Sequence, residues 1–319
     1  MKWCCFGDIH IGSSRYQWVK DQEERLCEWI LKSVQEHNCQ RVIFLGDCFK
    51  DRMHSGRDKD RVWYLFKEIA KEVDVVVIAG NHDYYDKGCQ ESGLVVLKGI
   101  EGIEVVDNEV YRENVSGRDV CYVPWKWCIQ GDKERLEGDI VFGHFELREA
   151  VLWEGKEQVS LSDFSEVRLV VSGHLHFRKV VGKVVYPGVP FQRSFVDDVR
   201  VGGVVVDLEN MGWWWVDGYG VKFMQIEKLE DLYGFDVSEC YVRVKGKGLV
   251  EVVKKLGVMG VEYVPEVVRG YDEGKRFQEL EEKTKIDLWQ LLEEYGRKVL
   301  KVGGKELEWL MNLYREKSV

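Results

Sequence analysis

Five apolar runs in this chain each end in a glycine followed at once by a residue able to ligate a metal: Gly7-Asp8, Gly46-Asp47, Gly80-Asn81, Gly143-His144 and Gly173-His174. The runs are KWCCF, RVIFL, VDVVVIA, DIVF and VRLVVS, all short and lacking the polar alternation of a half-exposed strand. They predict buried strands of a sheet covered on both faces. In layered α/β proteins, sites gather beyond the carboxyl ends of the strands, where glycine lets the backbone turn sharply or approach a ligand closely. The order of the junctions is compatible with one sheet edge. Seven candidate ligands, Asp8, His10, Asp47, Asn81, His144, His174 and His176, are therefore expected to converge on one pocket.

The chain has 319 residues and 45% apolar content, enough for a catalytic core with one or two smaller appendages. Its formal net charge of −10 excludes a broad basic field. Any contact with nucleic acid must then be local, metal-mediated or shared with a partner. Nine cysteines include no C-x-x-C pair, which suggests reduced thiols in a cytosolic setting. Asp8 and His10 are needed almost at the start, so no signal peptide is expected there, and no apolar stretch approaches a membrane span. The expectation is a soluble, cytoplasmic protein with no membrane contact, its compartment extending to a nucleoid or a viral replication site.

Residues 17–36 place Trp18, Leu26, Trp29, Ile30 and Val34 at helical spacing, and residues 59–72 do the same with Val62, Leu65, Phe66 and Ile69. The first eighty residues thus read β-α-β-α-β, which implies a parallel sheet. From 103 to 123 the pattern shortens to hairpin-like pieces, and from 166 to 216 it becomes mostly strands joined by Gly-rich turns. The predicted class is α/β, a two-sheet β-sandwich flanked by helices over 1–217. A small α+β capping domain over 218–272 follows, with a β-α-β module at about 224–271. A charged helical segment over 273–319 completes the chain, its stripes formed by Leu288, Leu292, Tyr295 and Val299 and by Leu307, Leu310, Met311 and Tyr314. The triplet Trp213-Trp214-Trp215 reads as an edge strand packed under the cap, or as a platform for stacking bases.

Asp8-x-His10 offers a carboxylate and an imidazole just past a strand end. Asp47 supplies two oxygens and is the natural bridge between two cations, and Asn81 adds a neutral amide oxygen. His144 and His174-x-His176 bring three more imidazoles. Taken singly, an Asp-x-His or a Gly-His in a loop reads as a cap or turn. Taken jointly, the junctions predict a centre for two divalent ions. Mixed nitrogen and oxygen ligation suits manganese, iron or zinc better than calcium, with magnesium a further choice. His82 follows Asn81 and should point the other way, toward a substrate, where it can stabilise charge or protonate a leaving oxygen. Asp83 is a candidate helper that orients His82 or caps the next turn. His37 reads as a helix-end surface residue, and His54 has no context of its own.

The set Asp8-x-His10, Gly46-Asp47, Gly80-Asn81-His82-Asp83, Gly143-His144 and Gly173-His174-x-His176 resembles the calcineurin-like metallophosphoesterase superfamily over about residues 1–210. The segments GDIHIG, VPW at 123–125, GHFEL at 143–147 and YPGVPFQRSF at 186–195 look like its SbcD nuclease branch, which includes the Mre-eleven repair nuclease and a phage recombination endonuclease subunit. The resemblance implies one ion held by Asp8, His10, Asp47 and His176, a second by Asp47, Asn81, His144 and His174, and His82 as the catalytic histidine. It also implies an SMC-like coiled-coil ATPase partner bound through the C-terminal helices, and a homodimer formed through helices near the site, for which 59–72 is the candidate. The function so implied is that of a manganese-dependent DNA exonuclease or endonuclease in repair or recombination.

The chain departs from that pattern at Lys50, where the repair nucleases often carry a histidine. The surrounding segment is basic, and Lys50, Arg52, Arg57 and Lys59, together with Arg193, are candidate contacts to DNA phosphates. The protein-phosphatase branch is disfavoured, since its GDxxDRG run is absent and Asp51-Arg52 falls one residue late. Two other readings stand beside the nuclease. One is a small-molecule phosphodiesterase or phosphatase whose cap closes the pocket. The other is a binding subunit with a structural metal site.

Overall fold

A computed structural model describes residues 1–264, apart from 13, 15, 16, 131–134, 153, 156 and 246. It divides into two compact units, Met1–Gly220 and a second from Val221 onward.

In the first unit, the apolar runs become strands. β1 (Lys2–Phe6), β2 (Arg41–Phe44), β3 (Asp74–Ile78) and β4 (Ile103–Val106) lie parallel. β11 (Gly202–Asp207) pairs antiparallel with β1, and β12 (Gly212–Asp217) with β11, giving the order β12-β11-β1-β2-β3-β4. The second sheet has a parallel centre of β6 (Arg118–Val123), β7 (Gly138–His144), β8 (Val167–Gly173) and β10 (Val184–Tyr186), with β5 (Tyr111–Val115) and β9 (Lys179–Val181) as antiparallel edges. Its order is β5-β6-β7-β8-β10-β9. The fold is the two-sheet α/β sandwich.

Strand periodicity sends alternate side chains to opposite faces, and in β1 both faces are covered. Trp3 and Cys5 enter the core between the sheets with Ile43, Val76, Tyr122, Phe142, Val171 and Val204. Phe6 points to the other side, 4.9 Å between ring centroids from Trp29 of α1 (Gln17–His37), while Phe44 meets Phe66 of α2 (Gly56–Ala70) at 4.5 Å. Burial on both faces is why these strands read as continuous apolar runs.

Three expectations change. Helix α2 begins at Gly56 and not at 59, because Ser55 and Asp58 form a reciprocal capping box in which each side chain accepts from the other's amide. The segment 103–123 is not one run of hairpins: β5 and β6 form one, whereas β4 leaves it to extend the first sheet beside β3. The ligand junctions do not share one sheet edge. Those after β1, β2 and β3 belong to the first sheet and those after β7 and β8 to the second, and the sandwich brings the two edges together.

The tryptophan triplet forms the edge strand β12, with Trp213 and Trp215 against the inter-sheet core and Trp214 donating to His37 Nδ1 at 3.4 Å. All nine cysteines are free thiols.

The second unit contains a parallel sheet of β13 (Lys222–Ile226), β14 (Cys240–Lys245) and β15 (Gly260–Val264), with α3 (Lys247–Lys255) as the crossover between the last two. Its core includes Phe223, Ile226, Leu232, Val242, Val253 and Leu256. The segment 273–319 and its two apolar stripes lie outside the described residues. Among those described, no helix is long and apolar enough to cross a membrane.

Candidate metal centre

The centre is built where parallel strands stop. A Cβ on Gly46, whose φ is +100°, would run into the His144 ring, and one on Gly80 would meet the Asp47 carboxylate. Close approach, more than turning, requires these glycines. Three of the candidate ligands themselves carry positive φ: His10 at 47°, Asp47 at 52° and His174 at 85°. Such backbone is unfavourable outside glycine and persists where surrounding structure holds it.

All seven candidate ligands fall within one nest, arranged as two groups. In one, His10 Nε2 and His176 Nε2 are 3.0 Å apart, and Asp8 Oδ2 lies 3.7 Å from the first and 3.6 Å from the second. In the other, Asn81 Oδ1 is 3.1 Å from both His144 Nε2 and His174 Nδ1. Asp47 Oδ2 lies between the groups, 3.8 Å from His10 Nε2 and 3.6 Å from His144 Nε2. Each carboxylate spends its other oxygen on backbone: Asp8 Oδ1 accepts from His174 N and Asp47 Oδ1 from His82 N, both at 2.8 Å.

These atoms suit divalent cations. Asp8 Oδ2 is buried with no hydrogen-bond donor, a costly state for a carboxylate oxygen unless a cation faces it. The far nitrogens of the rings are occupied: His10 Nδ1 faces the Phe49 carbonyl at 3.1 Å, His144 Nδ1 that of Leu45 at 2.7 Å, and His176 Nδ1 the Asp197 carboxylate at 2.9 Å. His174 Nε2 faces Glu146 at 3.2 Å. Each ring, when neutral, turns a lone pair inward, and lone pairs about 3 Å apart repel unless a proton or a metal cation lies between them.

The protonation of the metal-free chain follows from this crowding. Burial pushes His10 and His144 down to about 3, with partial relief from Asp8. Burial also depresses His176, but the hydrogen bond to Asp197 and the negative charge of Asp8 beside the ring outweigh it and raise the imidazole to about 10. Burial, then the neighbouring charges of Asp8 and Asp83, push Asp47 well above the ordinary carboxylate range. Burial works against the ionised Asp8 as well, yet the histidines around it, His144 first, hold its carboxyl well below that range.

His82 is the open member of the group, its side chain 39% exposed and its Nε2 4.0 Å from Asp47 Oδ2. Burial of the rest of the ring and the charge of Arg52 lower its pKa. It lines a cleft of about 620 Å³ together with His10, Lys50, His176, Arg193 and Ser194. Asp83 stands apart from that cleft. It is fully buried and its carboxylate accepts from Gly80 N at 2.8 Å and Phe49 N at 3.0 Å, tying the loop after β2 to the loop after β3.

The basic candidates divide. Lys50 and Arg193 line the cleft, but Arg193 pairs with the buried Glu23 at 2.6 Å and donates to the Ile9 carbonyl at 3.2 Å. Arg52 donates to the carbonyls of Tyr84 and Asp86, and the Lys59 ammonium sits over the Tyr85 ring. Arg57 is exposed in the first turn of α2.

Three residues of the neighbourhood escaped the sequence reading. His54 contacts the His82 carbonyl through Nε2 at 2.9 Å and stacks on Phe49. Glu146 and Asp197 stand behind His174 and His176. The position of Glu146, two residues after His144 and so on the same side of an extended chain, was the one local signal available. Trp125 of the VPW segment stacks on His174, with centroids 5.1 Å apart.

Acids, an amide and imidazoles gathered at the facing edges of a two-sheet sandwich define a metal-dependent hydrolase centre. Residues 1–178 match the family model for the calcineurin-like phosphoesterases, more than half of the chain, and the protein belongs to that family. No curated protein matches it. The family binds divalent metals and hydrolyses phosphoesters, and Asp8, His10 and His176, and likewise Asp8, Asp47 and His144, are close enough to share an ion.

Proposed function

We propose that this chain is the nuclease subunit of an SMC-like ATPase complex, hydrolysing phosphodiester bonds of DNA in repair or recombination. The observation that carries the reading is His82 standing open over the two ligand groups that Asp47 joins. Asp8, His10, Asp47 and His176 would hold one divalent ion, and Asp47, Asn81, His144 and His174 a second, with manganese the first choice. When bound, such ions neutralise phosphoryl oxygens and make a water more acidic.

The chain's own residues do the rest. Asp47 keeps the two groups in register because its Oδ1 is fixed by the His82 amide. The His82 ring reaches the cleft, where it can hydrogen-bond a developing negative oxygen or hand a proton to a leaving one. Lys50 borders the same cleft and adds local positive charge to an otherwise acidic protein, while Arg193 beside it is paired with Glu23. The docking of an ATPase on 273–319 belongs to this proposal, as does a homodimer formed through α2, on which Tyr64 is 61% exposed. Deleting 280–319 should abolish co-purification with a coiled-coil ATPase, and undiminished co-purification would refute that element.

A small-molecule phosphodiesterase is the second reading. It is favoured by the internal ties of Arg52 and Arg193, which leave little basic surface for a polymer. A manganese-dependent assay offering single-stranded DNA, double-stranded DNA and bis-p-nitrophenyl phosphate separates the two. Turnover of DNA is expected. Turnover of the small ester alone, with the ATPase present, would sink the nuclease reading.

A further inference from the structure

His174 and His176 are two residues apart on one segment, yet they face the centre with different nitrogens. His174 presents Nδ1, which is 3.1 Å from Asn81 Oδ1 and 3.2 Å from His144 Nε2. His176 presents Nε2, 3.0 Å from His10 Nε2. Behind each ring stands a carboxylate: Glu146 Oε2 lies 3.2 Å from His174 Nε2 and Asp197 Oδ1 2.9 Å from His176 Nδ1.

We propose that Glu146 and Asp197 are positioning residues that, by accepting from opposite ring nitrogens, let one His-x-His segment serve two different ions. This rests on the reading of the centre as a holder of two divalent cations. A neutral imidazole has one N–H and one lone pair, and the partner of the N–H decides which nitrogen is left to ligate. A carboxylate accepts and does not donate, so it draws the N–H toward itself and turns the lone pair to the opposite side of the ring. His10 and His144 receive the same service from backbone carbonyls, those of Phe49 and Leu45 just past the end of β2. His174 and His176 lie on a loop, and for them it comes from side chains.

Both carboxylates are themselves held. Asp197 Oδ2 accepts from Arg193 N and Ser194 N, each at 2.9 Å, and from Ser194 Oγ at 3.3 Å. The fully buried Gln192 donates to the Asp197 carbonyl at 3.0 Å. Glu146 Oε1 accepts from Gln158 Nε2 at 2.7 Å. Asp197 lies beyond the residues that the family model matches, so the loop from 192 to 197 extends the centre past that boundary.

The test is titration of Mn²⁺ into the metal-free full-length protein by calorimetry, for wild type, Asp197→Ala, Asp197→Asn, Glu146→Ala and Glu146→Gln, with folding checked by circular dichroism. Asp197→Ala should weaken one ion by about 10–100-fold and spare the other, and Glu146→Ala should do the reverse. The Asn and Gln variants keep an oxygen acceptor and should recover part of the loss. In the zinc-loaded wild type, long-range ¹⁵N–¹H correlations should find the ring proton of His176 on Nδ1 and that of His174 on Nε2. The same tautomer at both rings, affinities within twofold of wild type, or equal loss of both ions in a folded variant would overturn the inference. A wild type that binds no Mn²⁺ would instead remove the reading of the centre, and the inference with it.

Discussion

His10 Nε2 and His176 Nε2 face each other at 3.0 Å while the Nδ1 atoms of both rings are taken up by oxygens, those of Phe49 and Asp197. Two basic nitrogens in that position need a shared positive charge. In the metal-free chain a proton on His176 supplies it, and a divalent cation would displace that proton.

Metal binding should therefore release protons, and more readily as pH rises. His176 is raised to about 10 in the folded chain against an ordinary value of 6.5, so its contribution to metal-free stability is complete below about 6.5 and is lost as pH climbs through about 10. The slope is at most about 1.4 kcal/mol per pH unit, and less after solvent screening, because the His176 side chain is 36% exposed. His10 and His144 have the opposite sign: folded values near 3 mean that the unfolded chain takes up protons that they refuse, and stability falls from pH 6.5 toward 3. The raised Asp47 opposes them in acid. The stabilisation conferred by Mn²⁺ should grow between pH 6 and 9 in thermal denaturation. A constant or shrinking increment would contradict the assigned protons.

Replacing His82 with alanine should lower phosphodiester hydrolysis by about 10²–10⁴-fold. Metal content, read by elemental analysis, should not change, since the ring lies at the open side of the nest and not among its buried members. Full residual cleavage would remove His82 from the chemistry.

Gly46→Ala tests the close approach of the two sheet edges. The added methyl meets both an unfavourable φ of +100° and the His144 ring. A loss of about 2 kcal/mol or more in urea unfolding is expected, together with reduced Mn²⁺ affinity. Unchanged values of both would mean that the edges can separate without cost.

Phe142→Ala probes the core between the sheets, on the strand that ends in His144. Phe142 is fully buried, with Trp3 and Tyr122 each at a centroid distance of 5.7 Å. The cavity should cost about 3–5 kcal/mol, and the metal stoichiometry of the folded fraction should be retained. A loss under 1 kcal/mol would show that the core collapses to fill the space.

The strands and their ligand-bearing ends were legible because burial on both faces writes an unbroken apolar run, and a close backbone approach demands glycine at its end. Helix α1 was readable for a similar local reason, the periodic spacing of Leu26, Ile30 and Val34. The start of α2 was missed because its cap, Ser55 with Asp58, is polar and leaves no mark on the apolar pattern. His54 was equally silent: its stacking on Phe49 and its bond to the His82 carbonyl join residues that share no local motif.

What the chain determined by itself was chemical type at each position: which segments must be buried, which acids and imidazoles stand at their ends, and where the backbone must be bare. What only the tertiary structure decided was partnership. That β3 takes β4 as its neighbour, that five junctions are divided between two sheets, and that Asp197 meets a histidine 21 residues away all depend on packing. Pairing across a sandwich is set by the summed fit of many buried faces, and no local stretch of sequence carries that sum.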